Sequence, residues 1–278
     1  MSSWNNIYET FDPIAFSLFS IPVHWYGIMY VLALVSALYI GKYFIKRDKL
    51  DFKGEEVDSY FIYVEIGVIL GARLGYILFY DTQTFYYLSH PWQIFNPFQN
   101  GEFVGIRGMS YHGAVLGFLI ATYMYTKKHK IALGKIMDLV AISVPLAFVF
   151  GRIGNFLNQE LIGRETDVPW GILVDGVLRH PSQLYEAILE GIGVFIVVYI
   201  YRNYQRFSGE LILVYAISYG IFRAIAEIWR APDVQIGYIC CDAITFGQVL
   251  SLGMSAAALI AWFYFYGKSK NIKSKNNA

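Results

Sequence analysis

Apolar residues in this chain come in long runs, and the polar residues are gathered between the runs or at their ends. Stretches of about 20 mostly apolar residues, the length an α-helix needs to cross a hydrocarbon core, fall near 22–44, 57–80, 109–126, 136–158, 183–202, 211–230 and 245–266. The pattern predicts an all-α polytopic membrane protein of about seven transmembrane helices, forming a single transmembrane domain over residues 1–278.

Basic residues orient these spans. Lys46, Arg47, Lys49 and Lys53 follow the first, Lys127, Lys128, Lys130 and Lys135 the third, Arg202 and Arg206 the fifth, and Lys268, Lys270, Lys273 and Lys275 the seventh. By the positive-inside rule those segments are cytoplasmic, so the N-terminus is expected outside and the C-terminus in the cytoplasm. Segments 81–108, 159–182 and 231–244 then face outward. The first of them carries Phe85, Tyr86, Tyr87, Trp92, Phe95 and Phe98, the aromatic density of a segment lying at headgroup level. The extreme N-terminus has neither a basic region nor a small-residue cleavage signal, so no removable signal peptide is expected.

Composition sharpens this picture mainly by exclusion. The chain is 56% hydrophobic, 18% aromatic and only 15% charged, with a mean hydropathy of +0.43, too apolar for an ordinary soluble domain. A net charge of +1 with dispersed basic residues argues against a nucleic-acid partner. Cys240 and Cys241 are adjacent, and neighbouring cysteines rarely bridge. With no CxxC, no HExxH and scattered histidines, neither a metal nor another cofactor is expected.

On this topology the intramembrane polar groups converge on the outer leaflet. Tyr26 opens the first span, Arg73 lies in the outer half of the second, His112 begins the third, and Arg152, Asn155 and Asn158 end the fourth. Gln183, Tyr185 and Glu186 enter the fifth span from outside, while Arg223, Glu227 and Arg230 occupy the outer half of the sixth. At helical spacing Arg152, Asn155 and Gln159 share one stripe and Arg223, Glu227 and Arg230 another. Arg223 and Glu227 neutralise each other on the plainest reading. Arg73, Arg152 and Arg164 have few acidic neighbours in sequence, which leaves an external anion as their expected partner. Arginine suits phosphate because its planar donors grip two oxygens.

The segment Gly151-Arg-Ile-Gly-Asn-Phe-Leu-Asn-Gln-Glu-Leu-Ile-Gly163 resembles, position by position, the signature of the bacterial phosphatidylglycerol–prolipoprotein diacylglyceryl transferases. Further blocks agree in order: His24-Trp-Tyr-Gly27, Ser110-Tyr-His-Gly113, His180-Pro-Ser-Gln-Leu-Tyr-Glu186, and Phe222-Arg223 through Glu227 to Arg230-Ala-Pro-Asp233. The resemblance implies transfer of a diacylglyceryl group from phosphatidylglycerol to the lipobox cysteine of a prolipoprotein signal peptide, at the bacterial cytoplasmic (inner) membrane. It also implies roles. Arg152 and Arg223 are expected to stabilise the departing phosphate, with Asn155, Asn158, Glu160, Glu227, Arg230, Arg73, Gln183 and Tyr185 binding substrate around them. The acceptor thiol must lose its proton, and His112, whose side-chain type titrates near neutrality, is the natural base. Tyr26 is the alternative, provided that nearby arginines lower a pKa of about 10. Many members have two glycines after the histidine, whereas this chain has Gly113-Ala114, where a Cβ restricts close backbone approach.

Two other classes share some of these features. An anion or lipid transporter would line a cavity with arginines, but normally near the midplane and between repeated halves, and no internal repeat is found. An intramembrane protease needs a Ser–His pair or paired aspartates within spans, and Asp138 has no such partner.

Overall fold

The computed structural model describes residues 4–18, 21–99, 101–103, 105–106, 108–232, 237–240 and 244–276. Met1 to Ser3, Asp233 and Cys241 lie outside the described residues. Seven long helical segments are present among them: α1 (Trp25–Arg47), α2 (Gly54–Phe79), α3 (Tyr111–His129), α4 (Leu133–Leu157), α5 (Ser182–Tyr204), α6 (Glu210–Ala226) and α7 (Phe246–Asn276). In α1, α2, α4, α5 and the Phe246–Lys270 part of α7 the chain is long and apolar enough to cross a membrane. The other two occur where the third and sixth spans are expected but are shorter, 19 residues for α3 and 17 for α6.

Two boundaries move for local reasons. The first helix starts at Trp25, because Ile21–His24 pair in a hairpin with Ile14–Leu18. The sixth ends at Ala226, and Arg230 instead enters an isolated β-bridge with Gly163 two residues before Pro232. The all-α expectation is likewise corrected: four two-stranded antiparallel hairpins lie among the described residues. The turn at Asp175-Gly176, with φ of 51° and 78°, shows why, since consecutive left-handed residues favour a tight hairpin between Ile172–Val174 and Val177–Arg179.

The chain divides into two compact units, Met1–Phe44 with Met137–Ala278, and Ile45–Ile136. The smaller unit is built on α2 and α3, whose small residues recur every four positions: Gly67, Gly71 and Gly75 face Gly113, Gly117 and Ala121. A Cβ on Gly71 would lie 2.8 Å from the Cα of Gly117, so the two backbones are in direct contact. Such approach favours helix association in lipid, where no hydrophobic force separates protein from solvent. Gly113 therefore serves helix packing, and the space beside it is filled by Gly71 and Gly75. Gly117→Leu is expected to destabilise the protein by about 3 kcal/mol, read as a lower unfolding midpoint in detergent. Gly253→Ala, where a Cβ meets nothing within 4 Å, should leave the midpoint unchanged or raise it.

The larger unit contains the C-terminal helices. Asp138 of α4 accepts hydrogen bonds from the backbone N–H groups of Gly209 (2.6 Å), Leu211 (2.8 Å) and Ile212 (3.3 Å), and so caps the start of α6. α5 is not uniform: Ser182–Glu186 is α-helical, Ala187–Gly193 π-helical and Val194–Tyr201 α-helical again. The π turn contains Gly191, whose missing side chain admits Val149 and the Pro145 carbonyl of α4. Wide turns of this kind recur at functional sites, because they rotate side chains out of the regular helical register.

Candidate active site

The larger unit packs six charged side chains against one another, three buried carboxylates and three guanidinium groups with 12–14% of their side chains exposed. Glu186 and Glu190, one turn apart on α5, are both fully buried, with 0% of either side chain exposed. Arg152 of α4 brings Nε to 2.9 Å from Glu186 Oε2 and Nη2 to 3.6 Å from Glu190 Oε2. From α6, Arg223 Nη1 donates to Glu186 Oε1 (3.0 Å) and Glu190 Oε1 (3.2 Å). Its Nη2 lies 2.5 Å from Glu227 Oε2. Arg230 Nη1 donates to Glu186 Oε1 at 3.4 Å. Glu227 also accepts from Thr245 Oγ1 at 3.2 Å. Three guanidinium groups thus face three carboxylates. Matching of this kind is what makes burial of charge tolerable, since an unpaired ion in a water-poor interior costs several kcal/mol.

Of Arg73, Arg152 and Arg164, expected to have few acidic neighbours, Arg152 is corrected by this arrangement. Arg152 is doubly ion-paired through residues remote in sequence. Arg164 donates Nε to the Arg230 carbonyl (2.8 Å) and Nη2 to the Glu227 carbonyl (3.3 Å). In the smaller unit, buried Arg73 donates Nε to the Ile94 carbonyl (2.6 Å) and Nη1 to the Gly108 carbonyl (3.2 Å), and its guanidinium lies 5.2 Å from the Tyr87 ring centroid. Arg73 thereby ties Tyr87, Ile94 and Gly108 to α2. Two stripe assignments also change. Gln159 lies past the end of α4 and donates to the carbonyls of Tyr8 (3.1 Å) and Phe11 (3.0 Å), and Arg230 reaches Glu186 from beyond the end of α6.

The signature segment forms the adjoining wall. Asn155 accepts weakly from Arg152 Nη1 (3.4 Å) and donates Nδ2 to Glu160 Oε1 at 2.7 Å. Gln159 and Leu161, on either side of Glu160, have φ of 57° and 58°, a conformation that side-chain-bearing residues seldom adopt. Two buried groups of α5 hold them there: Gln183 Nε2 donates to the Glu160 carbonyl (2.5 Å) and Ser182 Oγ to the Leu161 carbonyl (3.1 Å). Gly163 closes the segment, since a Cβ there would strike the His180 backbone and its Cβ at 2.9 Å. Tyr26 packs on the same segment, its ring Cδ2 3.2 Å from where a Cβ on Gly154 would lie.

Other expected site residues have different surroundings. Asn158 keeps its backbone bond to the Gly154 carbonyl (2.9 Å), but no side-chain hydrogen bond is found among the described residues. Tyr185 has partners outside the charged cluster: its hydroxyl accepts from Trp170 Nε1 (2.6 Å) and lies 3.2 Å from His180 Nδ1. Partial burial lowers the pKa of His180 below the usual imidazole value, which favours the neutral ring. His112 belongs to the smaller unit; it is exposed in the first turn of α3, with Nδ1 3.3 Å from Tyr80 Oη. Glu190 is not among the site residues expected from the sequence. Its signal was present: a second carboxylate one turn after Glu186, inside an otherwise apolar run.

Fold and site together define a multi-pass helical membrane protein with a buried arginine–glutamate centre. The sequence model of the prolipoprotein diacylglyceryl transferase family matches residues 13–264, and the chain belongs to that family. It is 61% identical over 272 residues to the phosphatidylglycerol–prolipoprotein diacylglyceryl transferase of Campylobacter jejuni strain 81-176, covering 98% of this chain and all of that protein. A protein of the same name from Wolinella succinogenes is 60% identical, with 96% of this chain and 98% of that one covered. One from Campylobacter lari is 59% identical, over 98% of this chain and all of that one. These matches make the chain a transferase and remove the basis for the transporter and protease readings.

Proposed function

We propose that this chain transfers the diacylglyceryl group of phosphatidylglycerol to the lipobox cysteine of a prolipoprotein, the first step of bacterial lipoprotein maturation. The cysteine thiolate attacks the glyceryl carbon bonded to phosphate oxygen; a C–S bond forms, the C–O bond breaks, and glycerol phosphate leaves with the bond's electron pair. The observation that carries this reading is the set of Arg152, Arg223 and Arg230 around the buried Glu186 and Glu190, in a chain nearly co-extensive with transferases of that name.

The leaving phosphate gathers negative charge as the bond breaks, and fixed donors in a water-poor site lower that barrier most. Because the cluster is neutral by count, a phosphate entering it competes with the carboxylates for guanidinium N–H groups. Arg223, which touches all three carboxylates, has the most donors to redistribute. Asn155, held by Glu160, supplies a neutral polar contact to the headgroup. Asn158, Glu227, Arg230, Arg73, Gln183 and Tyr185 complete the proposed substrate-binding set, with Gln183 acting through the loop it holds.

The proton of the thiol goes to His112, the group whose type matches a thiol deprotonated near neutral pH, with Tyr26 as the alternative. His112→Gln is expected to lower kcat about a hundredfold or more, with Tyr26→Phe costing much less; the reverse order would transfer the role to Tyr26. The topology that suits this chemistry has seven spans in one catalytic domain over 1–278, the N-terminus outside, the C-terminus in the cytoplasm, and the site on the outer leaflet of the inner membrane. Purified protein given phosphatidylglycerol and a lipobox peptide should add a diacylglyceryl mass to the cysteine and release glycerol phosphate. Equal modification of a peptide with serine in place of that cysteine would overturn the thiolate mechanism.

A further inference from the structure

A second feature runs along α6 from Phe222 to Val214, and its charged end is at Glu210, thirteen residues before Arg223 and so about 20 Å from it along the axis. A groove of about 370 Å³ runs there between α5 and α7. Its walls are Val197 and Tyr201 from α5 and Leu259 and Trp262 from α7, over a floor of Val214 and Ser218 from α6. The Ser218 hydroxyl is spent on the Val214 carbonyl (2.8 Å), so the floor is effectively apolar. The lining suits a hydrocarbon chain, since every lining residue but Ser218 is aliphatic or aromatic.

One end of the slot is charged. Glu210 is fully buried and accepts from Tyr201 Oη (2.7 Å), Trp262 Nε1 (3.0 Å) and the Arg206 backbone N–H (2.5 Å). Arg206 gives it Nε (3.0 Å) and Nη2 (2.7 Å), and Nη2 also donates to Tyr201 Oη. The guanidinium lies beside the stacked rings of Trp262 and Tyr266, 4.7 Å and 4.5 Å from their centroids, with 37% of the side chain exposed. Its Nη1 has no hydrogen-bond partner among the described residues. Glu210 and the two rings therefore fix the plane of a cation that keeps one nitrogen for an outside acceptor. Exposed Lys270, one turn past Tyr266 on the same face of α7, adds a second positive charge.

We propose that this slot binds an anionic phospholipid, one acyl chain lying between α5 and α7 and its phosphate accepting from Arg206 Nη1. The charge decides the headgroup: the acidic partner is buried and already saturated with donors, so what faces outward is cationic. The site is separate from the proposed transfer chemistry, and the lipid bound there is not consumed.

The test uses the full chain in phosphatidylcholine nanodiscs doped with a phosphatidic acid that carries a diazirine at mid-chain. Photolabel is expected on peptides spanning 214–222 and 259–262, about fivefold above an equal dose of diazirine phosphatidylcholine, the factor equivalent to about 1 kcal/mol for one basic residue at a charged surface. Unlabelled phosphatidic acid should compete it away. Leu259→Trp, which fills the slot, and Arg206→Lys, which keeps the charge beside Glu210 but removes Nη1, should each reduce that label about threefold or more, with label elsewhere retained. Equal labelling by the zwitterionic probe, or labelling indifferent to both variants, would overturn the proposal. Transfer activity of Leu259→Trp should equal that of the unaltered protein, and its loss would count against a site separate from the reaction.

Discussion

Arg223→Lys is expected to lower kcat/KM for diacylglyceryl transfer by about 10²–10³, the cost of losing an optimally placed donor to a developing anion. The charge is kept, so the loss isolates geometry. In the resting protein Arg223 divides its two terminal nitrogens among Glu186, Glu190 and Glu227, at 3.0, 3.2 and 2.5 Å. A lysine has one nitrogen at the end of a flexible stem and cannot span three carboxylates while also gripping two phosphate oxygens. Arg152→Lys should fall less far, because Arg152 meets two carboxylates, Glu186 and Glu190, against three for Arg223, and lies against the Phe148 ring at 4.7 Å. The measurement is a steady-state assay of peptide modification at varied phosphatidylglycerol. Turnover at the unaltered rate in Arg223→Lys would remove the two-pronged grip from the mechanism.

Much of this centre is legible in the sequence, and the part that is not has a physical cause. Arg152, Asn155, Arg223 and Glu227 stand out because a charge or amide inside an apolar run needs a reason to be there. Their helices follow from run length alone. What the sequence does not reveal is pairing across helices: Arg152 meets Glu186 through a contact between α4 and α5 that spans 34 residues of chain, which no local spacing encodes. Nor does periodicity announce the π turn at Ala187–Gly193, since its energetics depend on α4 packing against Gly191. The end of α6 is misjudged for the same reason: apolar residues continue to Trp229, but the backbone of Trp229 is taken by Arg164 (2.9 Å) in place of another helical turn. The glycine contact between α2 and α3 is written in the chain as a four-residue repeat, Gly67, Gly71, Gly75 against Gly113 and Gly117, yet becomes meaningful only when both helices are considered together.

The carboxylates should matter for stability in an order that the geometry sets. Glu186 touches three arginines, Arg152, Arg223 and Arg230, whereas Glu190 touches Arg152 and Arg223 only. Glu186→Gln leaves three cations around a neutral amide with no exposed surface, and breaking a buried ion pair on one side costs about 3–5 kcal/mol. Glu190→Gln leaves the same arginines still facing Glu186, so its cost should be lower, about 1–3 kcal/mol for an imperfectly satisfied buried polar group. Thermal unfolding in detergent is expected to rank the midpoints as unaltered protein, then Glu190→Gln, then Glu186→Gln. Activity should separate the two roles further. If the carboxylates chiefly hold the arginines for phosphate, kcat falls with each substitution while the affinity for the peptide stays constant, because the peptide does not depend on the guanidinium lattice. A Glu190→Gln protein less stable than Glu186→Gln would mean that the cluster is organised around the π turn, with Glu186 its subsidiary member.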